Sequence, residues 1–226
     1  MYGMYRMYWN AFTVWHNIWT KEARKTRQTL KNKNMNNFQN MFTVIGRNAN
    51  GILSKKDSLF QIVDQLKPSV LYLQESKVNK KGLIKIEGYE IFEYVRSNSN
   101  GGSLLTAVHS NLQPVFISGE ETETEAEILV IQAKLGNYNC RFFNAYGPQE
   151  YASHEDKIAF YARLDQEVKN AKLFDCLICI EMDANAKVGC EIIKNDPNKL
   201  SGNGVFFLDF VERNNLVIGN ATHLCE

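Results

Sequence analysis

The stretch Leu177–Gly189, LICIEMDANAKVG, decides the fold of this chain. Its apolar run, LICI, predicts a buried strand, and the polar residues that follow place Asp183 and Asn185 at the end of that strand. Sheets of the α/β class usually hold their chemistry at the carboxyl ends of strands, so these two side chains are candidates for a site. From this stretch alone, the alternative is an Asx turn that only closes the strand.

The segments around this stretch follow a mixed order of strands and helices. Strands are predicted over 41–46, 69–74, 103–110, 127–135, 140–146 and 216–221, a hairpin over 80–95, and helices over 58–66, 153–171 and 204–215. Capping-box spacing precedes the first two helices, at Ser54 and at Ser153. Because helices separate some strands and hairpins join others, we predict an α/β sandwich of two mixed sheets with helices outside them.

The 226 residues are enough for one large domain, or for one domain with an extension. Residues 1–40 carry seven Lys/Arg and one Glu, a net charge of +6, whereas residues 41–226 carry a net charge of −5. We therefore predict a domain over 41–226 and a basic leader over 1–40 that is disordered or partly helical. The functional alternative for the leader is a basic arm that contacts nucleic acid. The acidic remainder does not offer a generally basic nucleic-acid surface.

The cysteines and the hydropathy of the sequence indicate the cellular compartment of the protein. Cys176 and Cys179 have CxxC spacing, but their side chains would point to opposite faces of a strand, which disfavours a zinc site. Reduced, buried thiols in an intracellular reducing compartment are the better interpretation. Residues 7–20 are too short and too polar for a membrane span and lack signal-peptide features, so no membrane partner is predicted. The five cysteines are Cys140, Cys176, Cys179, Cys190 and Cys225.

Polar side chains that suit one kind of chemistry follow several of the predicted strands. Glu75 and Asp183 are hard oxygen donors of the type that Mg²⁺ or Mn²⁺ prefers. Asparagine amides and a tyrosine hydroxyl can hold phosphate oxygens or orient a water molecule. Together these groups suit metal-assisted phosphodiester hydrolysis, although a lone Glu or Tyr at a strand end is more often an ordinary capping or turn residue. The candidates are Asn48, Asn50, Glu75, Tyr146, Asp183 and Asn185.

Four motifs occur in order along the chain: RNANGI (47–52), LYLQES (71–76), NAYGPQE (144–150) and MDANAKVG (182–189). They resemble the motifs of the endonuclease/exonuclease/phosphatase superfamily, and most closely those of the apurinic-endonuclease-like domain of non-LTR (LINE-type) retrotransposon polyproteins. The resemblance covers the chain from about Met41 to its C-terminus. It implies a four-layer α/β/β/α sandwich, Mg²⁺-dependent nicking of DNA, and the reverse transcriptase of the same polyprotein as a partner.

The resemblance also assigns roles to individual residues. It implies that Asn48 organises the site, that Glu75 binds the metal and that Tyr146 contacts the scissile phosphate. Asp183 corresponds to the aspartate that aligns the attacking water and is a second candidate metal ligand. Asn185 corresponds to the asparagine that holds the phosphate or the transition state.

Three further residues lie close to these positions in the sequence. Asn50 is assigned to phosphate or DNA binding beside Asn48. Glu181 has no counterpart in the family's motif, and we expect it to face away from Asp183. Met182 stands where the family usually has glycine.

The family's site is completed near its C-terminus by an Asp-His pair, and this sequence has no match for it. His16 lies in the leader, His109 in a predicted strand and His154 at a helix start, while His223 follows Thr222 and not an aspartate. We therefore expect a domain that lacks its last two or so strands, with exposed sheet edges and with little or no nuclease activity alone. Two alternatives are an inactive domain kept as a binding or scaffold module, and a phosphatase of the same fold that acts on smaller phosphoesters.

Overall fold

The computed structural model describes residues 12–16, 42–96, 102–119, 127–189 and 199–219. Its strands are β1 (Phe12–His16), β2 (Val44–Asn48), β3 (Val70–Gln74), β4 (Tyr89–Tyr94), β5 (Leu104–His109), β6 (Val115–Ser118), β7 (Glu127–Leu135), β8 (Tyr138–Tyr146), β9 (Leu177–Asp183) and β10 (Leu216–Ile218). Its α-helices are α1 (Lys56–Leu66), α2 (His154–Leu173) and α3 (Gly202–Arg213).

The strands form two sheets, one of six strands in the order β10-β1-β9-β8-β7-β6 and one of four strands in the order β2-β3-β5-β4. Both sheets are mixed. In the larger sheet β8 and β9 run parallel and their neighbours antiparallel. In the smaller sheet β2 and β3 run parallel, and β5 is antiparallel to both β3 and β4. This arrangement confirms the predicted pair of mixed sheets.

Three hydrophobic clusters join four layers. Alternate residues of β7 face opposite sides, because successive side chains of a strand point to opposite faces. Ile128 and Val130 pack with α2 and α3 on the outer face of the larger sheet, whereas Leu129 and Ile131 pack between the two sheets. On the outer face of the smaller sheet, α1 contributes Leu59 to the third cluster. The predicted α/β/β/α sandwich is confirmed.

The first strand lies within the segment that the sequence predicted to be a leader. β1 pairs antiparallel with β9 on one side and with β10 on the other. Aromatic and β-branched residues, which favour strands, make up most of its sequence, FTVWH. The prediction of a leader separate from the domain does not hold for these five residues. Residues 1–11 and 17–41 lie outside the described part, so the rest of that prediction stays a prediction.

The two predicted capping boxes have different outcomes. Ser153 caps α2, since its hydroxyl oxygen accepts the backbone N–H of Asp156. Ser54 makes no such cap, because it lies within a short 3₁₀ turn, Leu53–Lys55, and α1 begins after it without a side-chain cap. Within the described residues, no helix combines the length and the apolarity that a membrane span requires.

Two other segments differ from their predictions. The expected hairpin over 80–95 is wrong, because only Tyr89–Tyr94 forms a strand and its partner is β5. The preceding residues instead bury Ile84 and Ile86 in the cluster under α1. The short strand β6 was not predicted. It lies at the edge of the larger sheet, where Val115 and Phe116 are exposed and leave little alternation to recognise.

Candidate active site

The candidate residues converge where two pairs of parallel strands end. β2 and β3 are the parallel pair of the smaller sheet, and β8 and β9 are that of the larger sheet. Within each pair the carboxyl ends lie at the same edge, and the stacked sheets bring the two edges together. Asn48 ends β2, Glu75 follows β3, Tyr146 ends β8 and Asp183 ends β9. The structure therefore brings together in one place residues that are up to 135 positions apart in sequence.

Asn48 joins the two carboxylates of this site. Its side-chain amide donates one hydrogen bond to Glu75 Oε1 at 2.9 Å and another to Asp183 Oδ2 at 2.8 Å. Both N–H groups of the amide are thus used, and each carboxylate receives one donor. The amide oxygen accepts the backbone N–H of Asn50 at 3.0 Å, which fixes the orientation of the amide. The amide of Asn48 thus lies between the two carboxylates, and its organising role stays a prediction.

Tyr146 completes the contacts of Glu75. Its hydroxyl donates to Glu75 Oε1 at 2.9 Å and accepts a hydrogen bond from the side chain of Gln149. Tyr146 is buried, and burial together with the nearby charge of Glu75 raises its pKa, so the phenol remains a neutral donor. A neutral hydroxyl at this position can donate to a phosphate oxygen.

The turn after β9 holds the second carboxylate in place. The backbone N–H of Asn185 donates to Asp183 Oδ1 at 3.2 Å, which is the Asx contact that the sequence left open. Burial raises the pKa of Asp183, the hydrogen bonds from Asn48 and Asn185 oppose that rise, and the charge of Glu75 adds to it. The Asx turn and the site are therefore the same structure, and the two interpretations do not exclude each other.

Asn185 is fixed by the loops around it. Its backbone is left-handed, with φ of 46°, and its side-chain amide donates to the carbonyl of Gly147 at 2.9 Å. The side chain of Asn203, near the start of α3, donates to the carbonyls of Asn185 and Pro148. Asn203 is buried and was missed by sequence reasoning, since it lies in a turn-rich stretch with no apolar periodicity around it.

Asn50 lies on the outer side of the site. Its side-chain oxygen accepts a hydrogen bond from Lys77 Nζ at 2.6 Å, and its backbone carbonyl accepts one from Lys55 Nζ at 3.0 Å. Two ammonium groups thus lie beside the predicted phosphate-binding residue. The role of Asn50 stays a prediction.

Directly beneath the site, a buried polar contact links the sheets. The side chain of Gln74 donates to Asn144 Oδ1 at 2.8 Å, and the amide of Asn144 donates to the carbonyl of Leu105 at 3.0 Å and to the hydroxyl of Thr106 at 3.1 Å. The sequence analysis passed over both residues. The signal was available, since each is a lone polar residue inside an apolar run, VLYLQ and RFFNAY.

Glu181 does not face away from Asp183, and that expectation is wrong. The two residues are two apart in β9, so both point toward the smaller sheet. Glu181 is buried, and its carboxyl group fills the space over Gly46, where a Cβ would lie 2.2 Å from it. Glycine at position 46 is therefore required for the two sheets to approach beside the site.

Among the described side chains, no histidine contacts these residues. His109 ends β5, accepts the backbone N–H of Asn111 and packs on Tyr89. His154 packs on Phe206 of α3. Likewise, the described residues contain no group of three or more His, Cys, Asp or Glu that could hold a metal ion. The groups able to hold one are the carboxylates of Glu75 and Asp183.

Three solved structures are similar to this chain. The AP endonuclease LMAP of Leishmania major is 14% identical, with a TM-score of 0.59, over 76% of this chain and 66% of that one. An AP endonuclease of Archaeoglobus fulgidus is 19% identical, with a TM-score of 0.57, over 76% and 71%. The endonuclease domain of TRAS1, a telomere-specific non-LTR retrotransposon, is 16% identical, with a TM-score of 0.54, over 76% and 71%.

No protein-family model matches the sequence, and no curated protein does. At the identities above, the structural likenesses establish the fold. The chain has the α/β fold of these endonuclease structures, which confirms the fold that the resemblance implied. The catalytic roles assigned to individual residues stay predictions.

Proposed function

We propose that this chain hydrolyses phosphodiester bonds of DNA with the help of a divalent metal ion, nicking one strand. The observation that carries the proposal is the hydrogen bonding of one amide, that of Asn48, to the carboxylates of Glu75 and Asp183. This contact holds two hard anionic ligands from different sheets side by side. The two carboxylates repel each other, and such a pair held together at the ends of strands is typical of a functional site.

The donor set fits a magnesium or manganese ion. Mg²⁺ is usually bound by one or two protein carboxylates together with water and substrate phosphate, and Glu75 and Asp183 supply such a pair. When bound, the ion would supply Lewis-acid polarisation of the phosphate and stabilise charge on the leaving oxygen. Glu75 would be a ligand, with its orientation set by Asn48 and Tyr146.

The remaining residues would act on the substrate. Asn185 would donate the second N–H of its side-chain amide to a phosphate oxygen. Tyr146 would donate to another phosphate oxygen by turning its hydroxyl away from Glu75. Asp183 would align the attacking water and accept its proton, since burial raises the pKa of this carboxyl toward the working pH of a general base. Within the described residues no histidine shares that task. A general acid–base group contributes roughly 10²–10⁴ in rate, so we expect slow turnover from this chain alone.

Two kinds of similar solved structure support DNA as the substrate. The solved structures with this fold include AP endonucleases and the endonuclease domain of a non-LTR retrotransposon. The four sequence motifs support an origin in such an element, with the reverse transcriptase of the same polyprotein as its partner.

The free, buried thiols of Cys140, Cys176 and Cys179 support a reducing, intracellular location.

The test is nicking of supercoiled plasmid by the purified chain over long incubations. We expect slow conversion to open circles with Mg²⁺ or Mn²⁺ and none with a chelator. Asp183→Ala and Glu75→Gln should reduce nicking to the background rate. Asp64→Ala, which changes an exposed aspartate on α1, is the matched control and should leave the rate unchanged.

Three outcomes would overturn the proposal. Nicking that survives Asp183→Ala would show that the activity belongs to a contaminant. Absence of nicking combined with retained binding of a labelled duplex would favour the alternative of an inactive binding module. Hydrolysis of p-nitrophenyl phosphate without any action on DNA would favour a phosphatase of the same fold.

A further inference from the structure

A buried carboxylate that has no role in the proposed reaction lies beside the site. Glu127 is the first residue of β7 and is paired with Tyr146 across the β7–β8 ladder. Its relative exposure is 0%. Burying an ionised carboxylate is costly unless it is paired and hydrogen-bonded, so the contacts of Glu127 indicate what it stabilises.

Within the described part of the chain, Glu127 Oε1 contacts two residues that lie between β4 and β5. Its Oε1 accepts the backbone N–H of Ser103 at 2.9 Å and pairs with Arg96 Nη2 at 2.8 Å. Gly102 makes room for this pair, since a Cβ there would lie 2.3 Å from Glu127 Oε1 and 2.9 Å from the guanidinium carbon of Arg96. Ser103 has φ of 71°, a left-handed conformation that a serine rarely adopts.

The same segment supports the backbone of the candidate metal ligand. The carbonyl of Ser103 accepts the N–H of Ser76 at 2.9 Å, and the carbonyl of Gly102 accepts the N–H of Lys77 at 3.0 Å. Glu75 and Lys77 are both left-handed, with φ of 47° and 52°. These strained residues need hydrogen bonds to hold their conformation, and Gly102 and Ser103 provide them.

The two carboxylates are also close enough to interact. Burial raises the pKa of Glu127, the Ser103 N–H and Arg96 oppose that rise, and the charge of Glu75 adds to it. Glu127 Oε2 is buried and has no hydrogen-bond partner within the described part of the chain. A glutamine at this position could therefore keep the Oε1 contact and place its NH₂ group where Oε2 lies.

We propose that Glu127 is a positioning residue for Glu75, acting through Ser103 and Gly102 on the loop 75–77. Its Oε1 fixes the left-handed turn at Ser103, whose carbonyl in turn fixes the N–H that follows Glu75. The position of Glu75 as a metal ligand rests on the proposed function, whereas its backbone support by Glu127 does not. Arg96 pairs with the carboxylate and so lowers the free-energy cost of burying its charge.

The experiment compares Glu127→Leu and Glu127→Gln by amide hydrogen exchange at Ser76 and Lys77. Glu127→Leu removes the acceptor, and we expect exchange at both amides to become roughly tenfold faster or more, with α2 unchanged. Glu127→Gln keeps an oxygen for the Ser103 N–H and should restore most of the protection. Glu90→Leu, at an exposed glutamate of β4, is the matched control and should exchange like the wild type at both amides.

Gly102→Ala tests the same contact from the other side and serves if Glu127→Leu does not fold. Its added Cβ would displace the carboxylate, so exchange at Ser76 and Lys77 should accelerate as in the leucine variant. Wild-type protection in both Glu127→Leu and Gly102→Ala would overturn the inference. Equal loss in Glu127→Gln and Glu127→Leu would also overturn it, because charge and not positioning would then be the cause.

Calorimetric titration with Mn²⁺ gives a second readout. We expect the affinity to fall roughly tenfold in Glu127→Leu and to recover in Glu127→Gln, as for residues that orient a metal ligand. If the wild type binds no Mn²⁺, the proposed function fails, while the exchange rates still decide the role of Glu127. The two ideas can thus fail separately.

Discussion

Gln74 of the smaller sheet donates a hydrogen bond to Asn144 of the larger sheet, at 2.8 Å and with both side chains fully buried. Gln74 immediately precedes Glu75, and Asn144 lies two residues before Tyr146, on the same face of β8. A buried hydrogen bond is directional, whereas apolar packing tolerates sliding. This contact therefore fixes the relative positions of the two sheets directly beneath the candidate site.

Replacing Asn144 should be strongly destabilising. Asn144→Leu has a similar volume but deprives the buried Gln74 amide and Thr106 hydroxyl of this partner, at a cost of about 1–3 kcal/mol for each group. We expect the free energy of unfolding to fall by about 3 kcal/mol, as measured by urea denaturation. Asn139→Leu, at an exposed position of the same strand, should change it by less than about 0.5 kcal/mol. Equal stability of the two variants would show that the contact does not hold the sheets.

Asn48→Ala should affect both stability and activity. Without the amide, Glu75 and Asp183 lose a shared donor and their repulsion is no longer offset, which should cost about 1–2 kcal/mol in the presence of a chelator. We expect nicking of supercoiled DNA to fall at least roughly tenfold, because a group that orients metal ligands is lost. Asn111→Ala, at an exposed position, is the control for both measurements. A variant with wild-type stability and rate would remove the main support for the proposed function.

The buried Asp183 predicts a pH dependence of stability with a definite sign. Because burial raises its pKa in the folded chain, its contribution is fully present below the ordinary pKa of an aspartate and is lost as pH rises through the raised value. Asp183→Asn removes this titration. The melting temperature of the variant relative to the wild type should therefore increase between about pH 4 and pH 7, measured with a chelator present.

Glu150 provides a control of opposite sign. Partial burial favours its neutral form, but the N–H groups of Asn203 and Gly202, the hydroxyl of Ser201 and the charge of Lys157 outweigh that effect and lower its pKa. Its contribution is present above the ordinary pKa and is lost as pH falls. Glu150→Gln should therefore lose melting temperature relative to the wild type as pH rises toward the ordinary pKa of a glutamate, from about pH 3 to about pH 4.5, and change little above it. A shift of the same sign in both variants would contradict the assignment of burial as the cause at Asp183.

Much of the fold and of the candidate site could be predicted from the sequence, because the signals are local. The apolar run that ends in Asp183 forms a strand with almost the expected bounds, and Glu75 and Tyr146 also lie at strand ends. Parallel strands end at a common edge, so the polar residues at strand ends were enough to predict which side chains come together. The four-layer arrangement of helices and sheets was predicted from the resemblance, because no single segment of the sequence indicates it.

The features that the sequence did not predict depend on partners far away along the chain. Gln74 and Asn144 are 70 residues apart, and nothing near either one specifies the other. The side on which Glu181 lies depends on strand alternation, which was available, but its environment depends on Gly46 of the other sheet. The strand β1 is only five residues long, so its pairing depends on the edge of β9 that it covers more than on its own sequence.

The position of β1 can be tested with proline. Val14 pairs with Ile180 of β9 and with Ile218 of β10, and in an interior strand every backbone N–H belongs to a ladder on one side or the other. Val14→Pro removes one of these donors and should lower the free energy of unfolding by about 1–3 kcal/mol, the cost of an unpaired buried carbonyl. Val115→Pro, at the first residue of the edge strand β6, should be tolerated because proline is compatible with such positions. If urea denaturation finds Val14→Pro as stable as the wild type, residues 12–16 do not pair between β9 and β10 in solution. The strand that carries Asp183 would then have a different neighbour, or none, on that side.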